Sequence, residues 1–520
     1  MLVLAVVAGV AAATFRDYGL GWDDFTHSEY GDLLLAFYTS GFADRRAFSF
    51  VNLYLYGGGF DLAAAIAAKL LPFGLFETRR LLGAAVGLVG LVATWRLARR
   101  LGGPLAGVVG LTLLAACPLF YGHMFMNAKD APFAVAMTLL LLGLVRAFQD
   151  YPKPGWPTIV LFGCGLGLTL GSRVMGGMAG VYALAALTLI LRLRSRALGW
   201  SGAGAEAGRF LLRLAPGFAL AYAVMALVWP WAVIDPLNPF RAVAYFSHFF
   251  EKPWRELYDG ATPLVVDMPR SYLPTLLALK LPEALLALGF GGVAGAFLMA
   301  ARRDLDQRQR AAFLLVALAV AFPIALTVAT RPAMYNGIRH FVFILPPLAA
   351  LGGFAAAWAA ERLRSRPLAV RAGALAALAI GVALPVHKMV RLHPYQYTHF
   401  NLVAGGVRVA HERYMLDYWG LAFAQAAREL RETLASHDLA PPGGRRWRVA
   451  VCGPHPAARV ELGPGFELVG NTLNADFAMV LGEYYCRELN APVFVEIERE
   501  GAVYARVYDI GGRTVGALWD

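Results

Sequence analysis

Apolar runs of about the length that crosses a bilayer recur along this chain, and they constrain its fold more than anything else in it. A span needs about 20 mostly apolar residues. Such runs lie at roughly 1–14, 80–97, 105–121, 132–148, 158–171, 174–191, 214–232, 278–300, 311–329, 341–360 and 372–389. Hydrocarbon offers no partner for a free backbone N–H or C=O, so each run must be helical. The composition agrees: 58% of the 520 residues are hydrophobic, 16% are charged and the mean hydropathy is +0.54. That excludes a soluble globular enzyme, a disordered chain and a disulfide-stapled miniprotein. The expected fold class is an α-helical polytopic membrane protein of about eleven spans with a small α/β domain after them.

Arginine sets the orientation. One family of short loops holds Arg96, Arg99, Arg100, Arg146, Lys153, Arg192, Arg194, Arg196, Arg209 and Arg213, then Arg302, Arg303, Arg308, Arg310, Arg362, Arg364, Arg366 and Arg371. The short loops on the other side hold only Lys129, Arg173, Arg331 and Arg339. By the positive-inside rule the first set is cytoplasmic, the N-terminus is inside, and everything beyond about residue 390 is outside. The same placement explains the net charge of +12 without nucleic acid. The first run starts at Met1 with no basic leader and no small-residue cleavage site, so it reads as an anchor, and its abrupt start leaves room for residues upstream.

Three stretches are not spans, and all fall outside: a first loop at 15–79, a second at 233–277, and a tail at 391–520. These give a membrane domain over 1–390 and a separate domain over 391–520. The loops predict interfacial helices near Tyr30–Tyr38 and 53–71, with a tight YGGGFD turn. The tail predicts a helix from Tyr418 to Ser436 and a PPGG linker at 441–444. Strands follow at WRVAVCG and at VFVEIERE/AVYARVYDI around Gly501. Cys117 and Cys164 lie in spans as packing residues. Cys452 and Cys486 lie outside, where an oxidising compartment allows them to pair.

Chemistry-bearing residues gather on the outer side. WDDFTHSEYG packs Asp23, Asp24, His27 and Glu29 into seven positions, which suits a general base or a metal site. MNAKDAPF places Lys129 and Asp130 at the mouth of two spans, where charge is costly. GSRVMGG carries Arg173 among small residues, and RPAMYNGIRH carries Arg331, Arg339 and His340. Converging cations suit a phosphate. The bland alternatives are solvated loops, a snorkelling Lys129 and a structural Arg173–Asp130 pair. Trp22, Trp254, Tyr258, Tyr335 and Asn336 are available on this side for contact with a sugar.

The combination resembles the GT-C superfamily of integral membrane glycosyltransferases, near the protein O-mannosyltransferases and the lipid A aminoarabinose transferases (glycosyltransferase family 39-like). The resemblance is carried by Asp23-Asp24, by KLLPFGLFETRRLLGA at 69–84, by Asp130, and by an odd number of spans followed by an outer tail. MNAKDAPF, GIRHFVFILPP, HPYQYTHFN and DYWG resemble a bacterial branch. It implies a polyprenyl-phosphate-sugar donor, a hydroxyl acceptor on a lipid, glycan or protein, and an inverting transfer of a hexose or pentose at the outer face of a bacterial cytoplasmic membrane. Such families have Asp-Glu where this chain has Asp-Asp. Asp23 therefore matches the catalytic base and Asp24 the Glu, and either remains open as the base. Asp130 matches a second catalytic acid. Lys129, Arg173, Arg339 and His340 are expected around the donor phosphate, with His27 and Glu29 behind the base. No cofactor is demanded, although the four residues of the first loop offer ligands for a divalent metal. Other classes are a flippase for a lipid-linked sugar, which would place charge near the bilayer midplane, and a non-catalytic assembly protein.

Overall fold

The computed structural model describes residues 2–247, 254–511, 513 and 515–519. Met1 and residues 248–253, part of the second predicted loop, lie outside that set. Among the described residues, seven helical stretches are long and apolar enough to cross a membrane. Two of them are helical hairpins. In α4 (Leu75–Ala115) the break is Gly103, with φ 79°, followed by Pro104. In α8 (Met178–Val228) it is Gly199, with φ 69°. Both breaks lie beside the arginine clusters, where the chain turns back. Two shorter apolar helices, α1 (Leu2–Thr14) and α7 (Trp156–Leu170), complete eleven apolar helical segments in the predicted order.

The remaining spans are α6 (Asp130–Gln149), α12 (Glu283–Ala301), α13 (Gln307–Thr330), α14 (Leu345–Leu363) and α15 (Leu368–Leu392). Over their most apolar stretches α6 is 83% buried and α15 only 6%, so α6 is central and α15 peripheral. Boundaries differ from the sequence reading where proline intervenes. The predicted span 105–121 stops at Ala115, because Pro118 opens a separate helix, α5 (Pro118–Met126). The predicted span 214–232 likewise breaks at Trp229, and Pro230 opens α9 (Pro230–Ile234).

The first loop folds as α2 (Asp24–Thr39) and α3 (Gly59–Leu70), packed on each other. α2 starts at the acid pair rather than at Tyr30. The second loop contains α10 (Asn238–Ser247) and leads into α11 (Tyr272–Lys280).

The C-terminal domain is a five-stranded mixed sheet in the order β2-β1-β3-β5-β4. The strands are β1 (Trp447–Cys452), β2 (Phe466–Val469), β3 (Phe477–Leu481), β4 (Val493–Arg499) and β5 (Ala502–Asp509). β2, β1 and β3 are parallel, while β5 runs antiparallel to both β3 and β4. β4 and β5 form the expected hairpin, turning at Glu500 and Gly501, both with positive φ. β1 and β3 are buried almost throughout, as their unbroken apolar runs require. Helices α17 (Ala422–Ser436) and α18 (His455–Leu462) cover one face. α17 begins four residues later than the predicted Tyr418, because DYWG is a separate turn. Cys452 and Cys486 form a disulfide with Cα atoms 5.8 Å apart.

Candidate functional site

Two acids adjacent in sequence have different fates. The Asp24 carboxylate is buried and accepts two bonds from the Arg80 guanidinium at 2.8 Å, and one from the Gly21 N–H at 2.8 Å. Burial pushes its carboxyl up, but Arg80 more than offsets this and holds it below the usual carboxylate range. The Asp23 side chain has no hydrogen bond among the described residues and is only partly buried. Its charge instead acts on Lys129 and Arg339.

His27 and Glu29 do not flank Asp23 as expected. The His27 Nδ1 lies 2.7 Å from Asp61, which also accepts from Arg79 at 2.5 Å. That buried row ties α2 to α3 and α4. Glu29 is two residues further along the helix, on the opposite side, and is exposed. The four groups of the first loop therefore diverge, and among the described residues no three His, Cys, Asp or Glu gather as metal ligands.

The four expected cationic positions converge around two tyrosines. Lys129 Nζ lies 4.3 Å from the centre of the Tyr56 ring, and the Arg173 guanidinium 5.8 Å from it. Arg339 is buried between the rings of Tyr335 and Trp419, at 4.9 and 5.0 Å. The His340 ring lies 4.9 Å from the Tyr335 ring, tilted 59° to it. Burial lowers the Lys129 ammonium to about 8, against the upward pull of Asp23. Asp130 is ion-paired with Arg173 and accepts from the Asn127 amide at 2.6 Å. The structural Arg173–Asp130 pair is thus real, and it sits inside the cationic cluster. Lys129 and Arg339 are its two cations with no ion-paired carboxylate among the described residues. Arg331 does not join them: it donates to the backbone carbonyls of Asp267 and Met268 at 2.7 Å.

Distant segments hold these groups in place. The turn before Arg339 has Asn336 and Gly337 at positive φ. Glu256, from the second loop, accepts from both of their N–H groups and from the Tyr272 hydroxyl. Trp419 enters from the C-terminal domain. Asp417 accepts from the N–H groups of Gly420, Leu421 and Ala422, fixing the DYWG turn. The Trp419 carbonyl then accepts from the Trp22 N–H at 3.0 Å, beside Asp23. Gly21 must be glycine here, because a Cβ would overlap the Trp419 ring. Next to it, the Tyr418 hydroxyl meets His123 Nε2 at 3.0 Å. Of the aromatic candidates, Trp254 lies 5.4 Å from Tyr335, ring to ring, whereas Tyr258 is buried against Tyr272 and Tyr414.

The sequence reading missed Tyr56, Trp419, His123 and Glu256. Tyr56 had one signal, the triple glycine after it. Glu256 and His123 had none. The arrangement as a whole offers one unbonded carboxylate whose charge acts on a cationic cluster set among aromatic rings. It can take a proton from a hydroxyl on one side and bind a phosphate on the other.

Residues 60–205 match the family model of dolichyl-phosphate-mannose-protein mannosyltransferases. No curated protein matches the chain in sequence. Among solved structures, the oligosaccharyltransferase of Archaeoglobus fulgidus in its apo form is similar at 13% identity and a TM-score of 0.50, over 86% of this chain and 62% of that one. The same organism's oligosaccharyltransferase AglB, in complex with an inhibitory peptide and a dolichol-phosphate, is similar at 12% identity and a TM-score of 0.51, over 92% and 69%. ArnT from Cupriavidus metallidurans in the apo state is similar over 97% of both chains, at 15% identity and a TM-score of 0.49. The fold is that of the GT-C membrane glycosyltransferases.

Proposed function

From the GT-C fold and the converging groups around Asp23, we propose that the protein transfers a sugar from a polyprenyl-phosphate-linked donor to a hydroxyl acceptor. The observation that carries this is the division between the acids: Arg80 occupies Asp24, while Asp23 has no hydrogen bond of its own among the described residues and its charge acts on Lys129 and Arg339. The dolichol-phosphate held by the archaeal oligosaccharyltransferase supports a lipid-phosphate ligand on this fold.

The reaction is one displacement. Asp23 accepts the proton of the acceptor hydroxyl as its oxygen bonds to the anomeric carbon. The bond from that carbon to the phosphate oxygen breaks on the opposite face, and its electron pair stays on the phosphate, so the anomeric centre inverts. Lys129 and Arg339 balance the charge that develops on the leaving group. Arg173, held by Asp130, and His340 border the same space. Tyr335 and Trp254, their rings inclined by 46°, offer aromatic faces for a sugar ring. Asp130 serves here as a positioning residue for Arg173 rather than as a second base. No step needs a metal-bound group.

The active face is proposed to be the one bearing the C-terminal domain. The chain divides near residue 390 into a membrane unit and an outer unit. In a bacterial cytoplasmic membrane, with the N-terminus inside, that face is periplasmic. Purified protein given a polyprenyl-phosphate sugar and a hydroxyl acceptor tests the reading. Release of polyprenyl phosphate supports it, and movement of the intact lipid between leaflets without release rejects it.

A further inference from the structure

Where α15 ends, the membrane unit meets the edge of the C-terminal sheet, and a cavity of about 470 Å3 opens between them. Its walls include Lys388 and Arg391 from the last turns of α15, Arg408 from the short helix α16 (Val407–Ala410), Glu498 from the end of β4 and Glu500 from the turn after it. Lys388 Nζ donates to both oxygens of Glu500, at 2.9 and 2.7 Å. Arg391 Nε lies 3.7 Å from the same carboxylate. One acid thus orients two cations. Arg408 lies along Gly501, where an added Cβ would come within 3.3 Å of its Cγ and Cδ. Among the described residues no carboxylate pairs with Arg408. Three cations face two carboxylates, and one positive charge is left over.

Within three residues of the lining residues Arg391 and Gly405 the chain carries an apolar, uncovered rim. Val390, Leu402 and Val403 are 72%, 60% and 75% exposed. Val390 belongs to α15, the least buried of the candidate spans. The Leu402 N–H donates to Glu283 at 2.8 Å, which pins its loop to the first residue of the span α12. The apolar rim therefore lies where two spans end, at the depth of lipid headgroups.

We propose that this cavity binds the headgroup phosphate of an anionic membrane phospholipid and so holds the C-terminal domain against the bilayer. A phosphodiester carries one negative charge, which matches the surplus. Arg391 and Arg408 supply the forked donors, and Glu500 keeps Lys388 beside them. The acyl chains cover Val390, Leu402 and Val403. Free phosphate would satisfy the cations but leave that rim bare. The site is independent of Asp23 and its cluster.

The test is native mass spectrometry of the full-length protein in mild detergent, with added phosphatidylglycerol or phosphatidylcholine. Wild type retains phosphatidylglycerol in preference. Arg391→Gln and Arg408→Gln each lower that retention about fivefold, the effect of one basic residue near an anionic surface. Glu498→Gln, at an exposed position, raises it by about the same factor. Its sign is opposite, so it separates charge from misfolding. Inorganic phosphate leaves retention unchanged. Equal retention in wild type and all three variants overturns the proposal. Displacement of phosphatidylglycerol by inorganic phosphate overturns it too, and names free phosphate as the ligand.

Discussion

The backbone of Gly57 rests on the carbonyl of Gly171, and this contact brings Tyr56 and Arg173 together. A Cβ at Gly57 would overlap that carbonyl oxygen. The turn after Tyr56 also bonds from the Gly58 N–H to the Val228 carbonyl at 2.9 Å, so it has little freedom to yield. Gly57→Ala should therefore destabilise by about 1–3 kcal/mol, as overpacking does, and lower transfer by moving Tyr56 away from Lys129. Gly180→Ala, with open space around the new methyl, is the control. Thermal unfolding of both variants decides it, and equal midpoints would remove the contact from the argument.

Asp23 and Asp24 should separate cleanly on substitution. Asp23→Asn removes a proton acceptor that has no hydrogen bond to lose. Folding should be unchanged, while transfer falls about 10²–10⁴-fold. Asp24→Ala leaves Arg80 charged and buried, which costs about 3–5 kcal/mol. A stable but inactive Asp24→Ala, beside a fully active Asp23→Asn, would reverse the two roles. The pH dependence follows the same division. The folded-state pKa of Asp24 is depressed, so the stability it contributes is present above its unfolded value of about 3.9 and is lost as pH falls through the lower folded value.

Much of this architecture can be read locally, because helices in hydrocarbon and β-hairpins announce themselves in short windows. The order of the apolar segments and the turn at Gly501 are of this kind, whereas the shared side of Lys129, Arg173, Arg339 and His340 is expected from the loop count and not from any local pattern. The choice between Asp23 and Asp24 is not local either. It depends on Arg80, 56 residues away, which local patterning shows only as one of the two arginines in LFETRR. Nor does local patterning show that Trp419 of the C-terminal domain closes over Arg339, or that Glu256 holds the turn beneath it. His27 carried the same ambiguity, since its partner Asp61 lies on another helix. Pairings across long sequence separations leave no periodicity behind.

Arg339 should resist conservative replacement. Its planar guanidinium lies between the Tyr335 and Trp419 rings, and an ammonium cannot fill that slot in the same way. Arg339→Lys should cut transfer nearly as much as Arg339→Ala, by about 10²–10³-fold, the range for loss of one donor to a developing anion. Lys129→Arg keeps the charge beside Tyr56 and should be milder than Lys129→Ala. Steady-state rates of polyprenyl-phosphate release for the four variants check the order, and full activity in Arg339→Lys would reject the stacked arrangement as a requirement.

The Cys452–Cys486 disulfide closes a loop of 34 residues on the face of the sheet away from α17 and α18. In the chain-entropy model such a loop contributes about 3–4 kcal/mol. Reduction, or Cys486→Ser, should lower the unfolding midpoint of the C-terminal domain and leave the membrane helices folded. Peptide mapping without reductant reads the bond directly, and two free thiols in protein taken from the membrane would contradict it.

A buried carboxyl cluster between the two units should make their union sensitive to pH. Glu483 accepts from the N–H groups of Leu416 and Asp417, at 3.0 and 2.6 Å, just before the DYWG turn that carries Trp419. Burial, then the charge of Asp417, pushes its carboxyl up to about 8. Burial likewise raises Glu256 to about 7 and Asp417 to about 6. Unfolded, such groups titrate near 4. Between about pH 4.5 and 8 the folded protein therefore holds a proton at Glu483 that the unfolded chain has released, and stability falls as pH rises through that window. Glu483→Gln keeps an acceptor for both N–H groups but cannot ionise. Its unfolding midpoint should sit below or near that of wild type at pH 5 and gain on it steadily up to pH 8. Hydrogen exchange at Leu416 and Asp417 should slow in the variant over the same range. An offset between the two proteins that is the same at pH 5 and pH 8 would show that Glu483 keeps one protonation state throughout, and that the junction is not pH-sensitive through this residue.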